Sequence, residues 1–317
     1  MGTFSARTAA VYGLLVADVL DMHHAPSQLQ PPVIAGSLLD QGWEVAGYLA
    51  AADILRGIQD PIRDSDMVYY GLVATPRNNP AGPVLVITRG TAGGQEWADD
   101  GDCFPYAYPD KPTAGSVSSG FYSIYRTLNF TACGTQRDVN VPACQSIAAH
   151  FPQRALHVIG HSLGAALATY LAFDLKPLHA AELKACLFAC PNPGSSNFAL
   201  AFENAAILYD NYAYKRDVVP LLPGSMSPLR TVLPLLPCSG TGALNTASIK
   251  ADLLANHHVI DYAALLEPTL MNASQWAQRL IDDGCDRDCI EYLWINGKAV
   301  TASPADAQTP PALPALS

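Results

Sequence analysis

Charge is scarce in this chain: Asp, Glu, Lys and Arg together make up 15% of its 317 residues, against roughly 25% in ordinary globular domains. The formal net charge is -10, and no Lys/Arg-rich run relieves it. Both facts argue against nucleic acid or anionic lipid as partners held by electrostatics, and favour neutral or apolar ones. No stretch of about 18 uninterrupted apolar residues occurs, so a transmembrane helix is not expected. No CxxC pair occurs either, so a zinc site is not expected, and the chemistry read from the motifs below needs no metal or cofactor. Internal repeats are missing. Hydrophobic residues are plentiful, at 50% of the chain, enough for a sizeable core.

The N-terminal run MGTFSARTAAVYGLLVADVLDMHH carries its apolar residues at helical spacing and ends in Asp and His rather than a small-residue cleavage site. It is expected to be a core helix rather than a signal peptide. Eight cysteines are present. Cys103, Cys133, Cys144, Cys238, Cys285 and Cys289 lie in loop-like surroundings typical of a disulfide framework, whose pairing sequence alone does not give. Cys186 and Cys190 sit in a strand-like run as buried hydrophobes. The loop cysteines lean towards an oxidising, extracellular compartment. Asn129 and Asn272 open candidate glycosylation sequons.

After a Pro-rich passage, WEVAGYLAAADILRGI (43–58) reads as helix. MVYYGLVATP (67–76) and PVLVITRG (83–90) read as strands joined by a turn. GFYSIYRTL and VPACQSIAAHF have helical spacing. Then follow strand ALHVIG, helix GAALATYLAFDL, strand KACLFACP, helix SNFALAFENA and strand AILYDNYAY. This alternation predicts an α/β fold with a parallel sheet covered on both faces. A single domain is expected over residues 1–300. Residues 25–60 and 218–247 are candidate cap or insertion segments, and the Pro/Ala-rich stretch 301–317 is expected to be disordered. The Leu/Pro-rich segment 218–247 would either suit adsorption to lipid or pack internally.

The corner GHSLG (160–164) carries the chemistry. Gly-x-Ser-x-Gly arises by chance in roughly one chain in ten of this length, but here the serine stands where a β-branched strand gives way to a helix. That is the setting of a nucleophile elbow. Glycines at 160 and 164 relieve crowding as strand and helix approach, and the Leu163 amide at a helix N-terminus can stabilise an oxyanion. Ser162 is the candidate nucleophile. His161 is a poor candidate base, since adjacent residues on a tight turn point apart. An elbow needs an acid and then a histidine downstream. Asp217 follows a predicted strand, with Asp210 and Asp174 as competitors. Downstream of it stand only His257 and His258, and the residues alone do not choose between them.

These residues resemble the class 3 lipases, the fungal triacylglycerol lipase-like family of α/β-hydrolase fold. GHSLGAALA (160–168) is close to the family's serine signature. VITRGT (86–91) resembles its FRGT segment, with Thr88 in place of the usual aromatic. EWADD (96–100), SGFYSIY (119–125), FACPNPGSSNFA (188–199) and RDVVPLLP (216–223) follow as further family blocks in order. The resemblance implies Asp217 as the acid and Thr91 as an oxyanion donor beside Leu163. Some members place tyrosine five residues after the catalytic histidine, and His257 to Tyr262 has that spacing, so the register favours His257 over His258. The segment after Thr91 is glycine-rich and acidic, unlike an amphipathic lid helix.

The activity expected from the resemblance is ester hydrolysis on acylglycerols through an acyl-enzyme. Alternatives with the same constellation are an esterase on short-chain or aromatic esters, a phospholipase A1 or a polyester depolymerase. A non-catalytic binding module of the same fold is the reading from another class.

Overall fold

The computed structural model describes residues 2–23, 30–52, 67–90, 104–109, 111–215, 217–235, 255–272, 275–276, 278–279, 293–295 and 298–300. Its N-terminal helix α1 (Ala6–His23) is followed by a short helix α2 (Leu38–Gly42). Strands β1 (Trp43–Ala52), β2 (Met67–Pro76) and β3 (Val84–Thr88) come next. A small hairpin of β4 (Pro105–Ala107) and β5 (Ser116–Ser118) leads to α3 (Ser119–Tyr125), β6 (Asn129–Ala132) and α4 (Ala143–His150). Then β7 (Leu156–His161), α5 (Leu163–Leu175), β8 (Leu183–Phe188), α6 (Ser196–Asn204) and β9 (Leu208–Tyr214) alternate. The order ends with β10 (Leu233–Leu235), α7 (Val259–Leu266) and a second hairpin, β11 (Leu293–Ile295) with β12 (Lys298–Val300).

Among the described residues the main sheet has eight strands, ordered β10-β9-β8-β7-β3-β2-β1-β6. From β3 to β10 every pairing is parallel; β2 meets β3 and β1 antiparallel, and β6 closes the far edge on β1. Strands β3 and β7 are buried along their whole length, as continuous apolar runs between two helical layers should be. Alternation then divides their side chains. Val84, Val86, Leu156 and Val158 face a core built with α3 to α6, whereas Leu85, Ile87 and Ile159 face one built with α1 and α7.

The stretch 43–58 departs from expectation. Its described part, 43–52, is a sheet strand rather than a helix or a cap. Alanine-rich sequence favours helix locally, but pairing with β2 on one side and β6 on the other overrides that preference. Of the segment 218–247, residues 236–247 lie outside the described residues; in 218–235 the Leu/Pro-rich residues divide, Val219, Met226 and Leu229 being buried and Leu221 70% exposed, and β10 adds an unexpected edge strand. Cys133 and Cys144 are free thiols rather than disulfide partners. The Asn129 amide is buried and donates to the Val139 and Val141 carbonyls, so this sequon offers no accessible nitrogen. Cys103, Cys238, Cys285, Cys289, the segment after Thr91 and the tail 301–317 lie outside the described residues.

Helix α1 is fastened to the sheet by polar contacts. Asp210 accepts from the Thr3 and Phe4 amides at 2.7 and 2.9 Å, which accounts for this competitor of Asp217. Tyr12 Oη lies 2.6 Å from His157 Nδ1, under the edge of Phe4. Burial first, and then the Lys184 charge, lower the His157 pKa to about 4 from its ordinary 6.5, against an opposing pull from Glu182. The unfolded chain therefore binds this proton at a higher pH than the folded one. Its contribution to stability is complete above 6.5 and is lost as pH falls towards 4. At pH 5 the protein should be about 2 kcal/mol less stable than at pH 7.5 from this group alone. Urea melts of wild type and His157→Gln at both pH values check this; an equal pH-dependent loss in the two proteins would clear His157 of the effect.

Candidate active site

Three loops at the C-terminal ends of the parallel strands converge on one point. The first is the corner between β7 and α5, where Ser162 is held at φ 58°, ψ -131°. Such a conformation costs a non-glycine residue on the order of 1–3 kcal/mol. A side chain at Gly160 would strike the Gly164 carbonyl, and one at Gly164 would come within 2.5 Å of the Thr88 and Arg89 carbonyls. Only glycines let the turn press so closely against the end of β3. Leu163 is the first residue of α5, so its N–H has no carbonyl within the helix to bond.

The second loop follows β9. Asp217 donates its own amide to Tyr214 O, and its side chain is fully buried. Oδ1 accepts from the Val219 amide at 2.9 Å, while Oδ2 accepts from the Tyr262 hydroxyl at 2.7 Å and faces His257 Nδ1 at 2.8 Å. Three donors compensate the burial of the carboxylate. Asn192 fixes this loop from the neighbouring FACPNPG turn, its amide nitrogen donating to the carbonyls of Leu221 and Pro223.

The third loop is the short helical turn Ala255–His257 ahead of α7. His257 Nε2 stands 2.8 Å from Ser162 Oγ. With Nδ1 facing a carboxylate, that nitrogen carries the proton, and Nε2 is left to accept the serine hydroxyl. The structure brings Ser162, His257 and Asp217 together. His258 instead stands at the N-cap position of α7, and Asp174 pairs with Lys111 and Tyr125. Thr91 lies outside the described residues. Among those residues no group of His, Cys, Asp and Glu is arranged to hold a metal ion.

Two contributors were not assigned these contacts from sequence. Tyr262 entered only as a register mark, yet its hydroxyl bonds the Asp217 carboxylate and accepts from the Tyr214 amide at 3.1 Å. Burial, reinforced by Asp217, holds its pKa well above the phenol range, so it remains a donor. His161 reaches the His257 backbone carbonyl with Nε2 at 2.6 Å, and the two rings lie 4.6 Å apart. Burial and then the neighbouring His257 push the His161 pKa well down, leaving a neutral N–H donor. The residue before the serine thus grips the loop that carries the imidazole. Its place in the pentapeptide was the only available signal.

The chain is similar to known proteins in both sequence and fold. Residues 85–226 match the family model described as lipase (class 3). Phospholipase A1-II 6 of Oryza sativa subsp. japonica is 30% identical over 189 residues, which cover 51% of this chain and 46% of that protein. A secreted mono- and diacylglycerol lipase A of Penicillium cyclopium is 30% identical over 154 residues, 48% of this chain and 46% of that protein. This chain thus spans less than half the length of each of these curated relatives. Among solved structures, a Rhizomucor miehei lipase–propeptide complex superposes with a TM-score of 0.53 at 21% identity, over 74% of this chain and 67% of that one. The fold is that of the α/β-hydrolases.

Proposed function

Because residues 85–226 match the class 3 lipase family model, we propose that the chain is a member of that family and a serine ester hydrolase acting on acylglycerols. The observation that carries the reading is the continuous line from Asp217 through His257 to Ser162, with both contacts at 2.8 Å. In this mechanism Ser162 Oγ attacks the ester carbonyl as His257 Nε2 takes its proton. Negative charge on the former carbonyl oxygen meets the Leu163 amide, with Thr91 as the proposed second donor. Asp217 keeps the imidazole in the reactive tautomer and stabilises its charged form. The imidazolium then protonates the departing alcohol as the carbon–oxygen bond breaks. Water, deprotonated by His257, attacks the acyl-enzyme and releases the acid, returning the proton to Ser162. The chemistry needs no cofactor.

The Penicillium relative is named as secreted, which supports an extracellular setting for this chain. A second reading, phospholipase A1, is favoured by the rice relative of that name at the same identity. Fatty-acid release from mono-, di- and triacylglycerols and from phosphatidylcholine separates the readings. We expect faster release from the acylglycerols. Preferential cleavage of the sn-1 ester of phosphatidylcholine would move the assignment to phospholipase A1. No release from any of these lipids, nor from p-nitrophenyl esters, would overturn the hydrolase reading and leave a binding module.

A further inference from the structure

Thr88 stands where the sequence departs from the FRGT pattern, and the structure gives that departure a use. It is the last residue of β3, is fully buried, and pairs across the sheet with Gly160. Its hydroxyl lies 3.0 Å from the Ile159 carbonyl and 2.7 Å from the Gly164 carbonyl. The first carbonyl belongs to the strand three residues before Ser162, the second to the helix two residues after it. One hydroxyl proton is therefore shared between the two sides of the strained turn. The hydroxyl occupies space opened by a glycine, since Oγ1 would be 2.7 Å from a Cβ at residue 160.

We propose that Thr88 is a positioning residue for Ser162, its hydroxyl clamping the two ends of the nucleophile turn so that the serine is held at its positive φ. The proposal rests on the reading of Ser162 as the nucleophile. A turn of this kind relaxes if strand and helix move apart, and relaxation would swing Oγ out of line with His257 Nε2. A phenyl or aliphatic side chain at 88 can fill volume but has no proton to offer either carbonyl. Misplacing a reacting atom by about 1 Å is enough to slow a reaction roughly a hundredfold, so a partial loosening should be visible in the rate.

The test compares Thr88→Val and Thr88→Ala, which lack the hydroxyl, with Thr88→Ser, which keeps it. The readouts are the rate constant and final stoichiometry of fluorophosphonate labelling, with kcat and KM on a p-nitrophenyl ester. We expect both hydroxyl-free variants to label to full stoichiometry but about tenfold more slowly, with kcat reduced to match and KM unchanged. Thr88→Ser should stay within about twofold of wild type. Wild-type rates in a folded Thr88→Val or Thr88→Ala overturn the proposal, and so does an equal slowing in Thr88→Ser. Should Thr88→Val fail to fold, Thr88→Ala against Thr88→Ser decides the matter alone. Failure of wild type itself to label would instead defeat the reading of Ser162 as nucleophile.

Discussion

Ser162→Ala should reduce kcat on p-nitrophenyl esters by roughly a million-fold, leaving only the residual catalysis that the oxyanion site and substrate binding supply. The substitution removes the attacking oxygen and leaves the packing around it almost intact, because the described side-chain contact of Ser162 Oγ is the one to His257. The Ser162 amide, which donates to Phe188 O, and the glycines at either side are untouched. Thermal stability should therefore change little, so the loss cannot be ascribed to unfolding. Activity within about tenfold of wild type would remove Ser162 from the mechanism.

A comparable loss is expected for His257→Ala, because a nucleophile and its base act as a unit and deleting either disables both. His258→Ala should stay within a few-fold of wild type. The two residues are adjacent, yet the backbone turns between them. His257 closes the helical turn Ala255–His257, and His258 adopts the extended conformation (φ -62°, ψ 133°) of a helix N-cap. The His257 ring makes the described contacts to Ser162 and Asp217. The His257 carbonyl is also held by His161, which fixes the loop from behind. Parallel kcat measurements on the two alanine variants read the difference. The opposite pattern, with His258→Ala inactive and His257→Ala active, would reverse the proposed roles.

The nucleophile corner was legible because its physics is local. A β-branched strand, two glycines and an alanine-rich helix specify the strand–turn–helix by themselves, and the alternation from 156 to 214 predicts parallel strands without any long-range knowledge. Asp217 was legible from its place at the end of such a strand. The histidine was not legible from local pattern: both candidates occupy the same turn, and choosing between them takes the direction of a backbone that tertiary packing sets. The contacts of Tyr262 and His161 were hidden for the same reason, since each reaches a residue on another element. Trp43–Ala52 misled in the opposite direction. Its local preference is helical, and only the neighbouring strands make it β. Cys133 and Cys144 likewise looked like members of a disulfide framework, but in the structure both remain thiols, with Cys133 donating to the Val45 carbonyl.

The central claim is that Ser162 is a nucleophile activated by His257 and Asp217. Treatment of the folded protein with a fluorophosphonate, followed by intact mass and peptide mapping, tests it most directly. The account predicts one adduct per chain, mapped to Ser162, and none in Ser162→Ala or, over the same time, in His257→Ala. An adduct on a different residue, or a folded wild-type protein that takes up none, would contradict it.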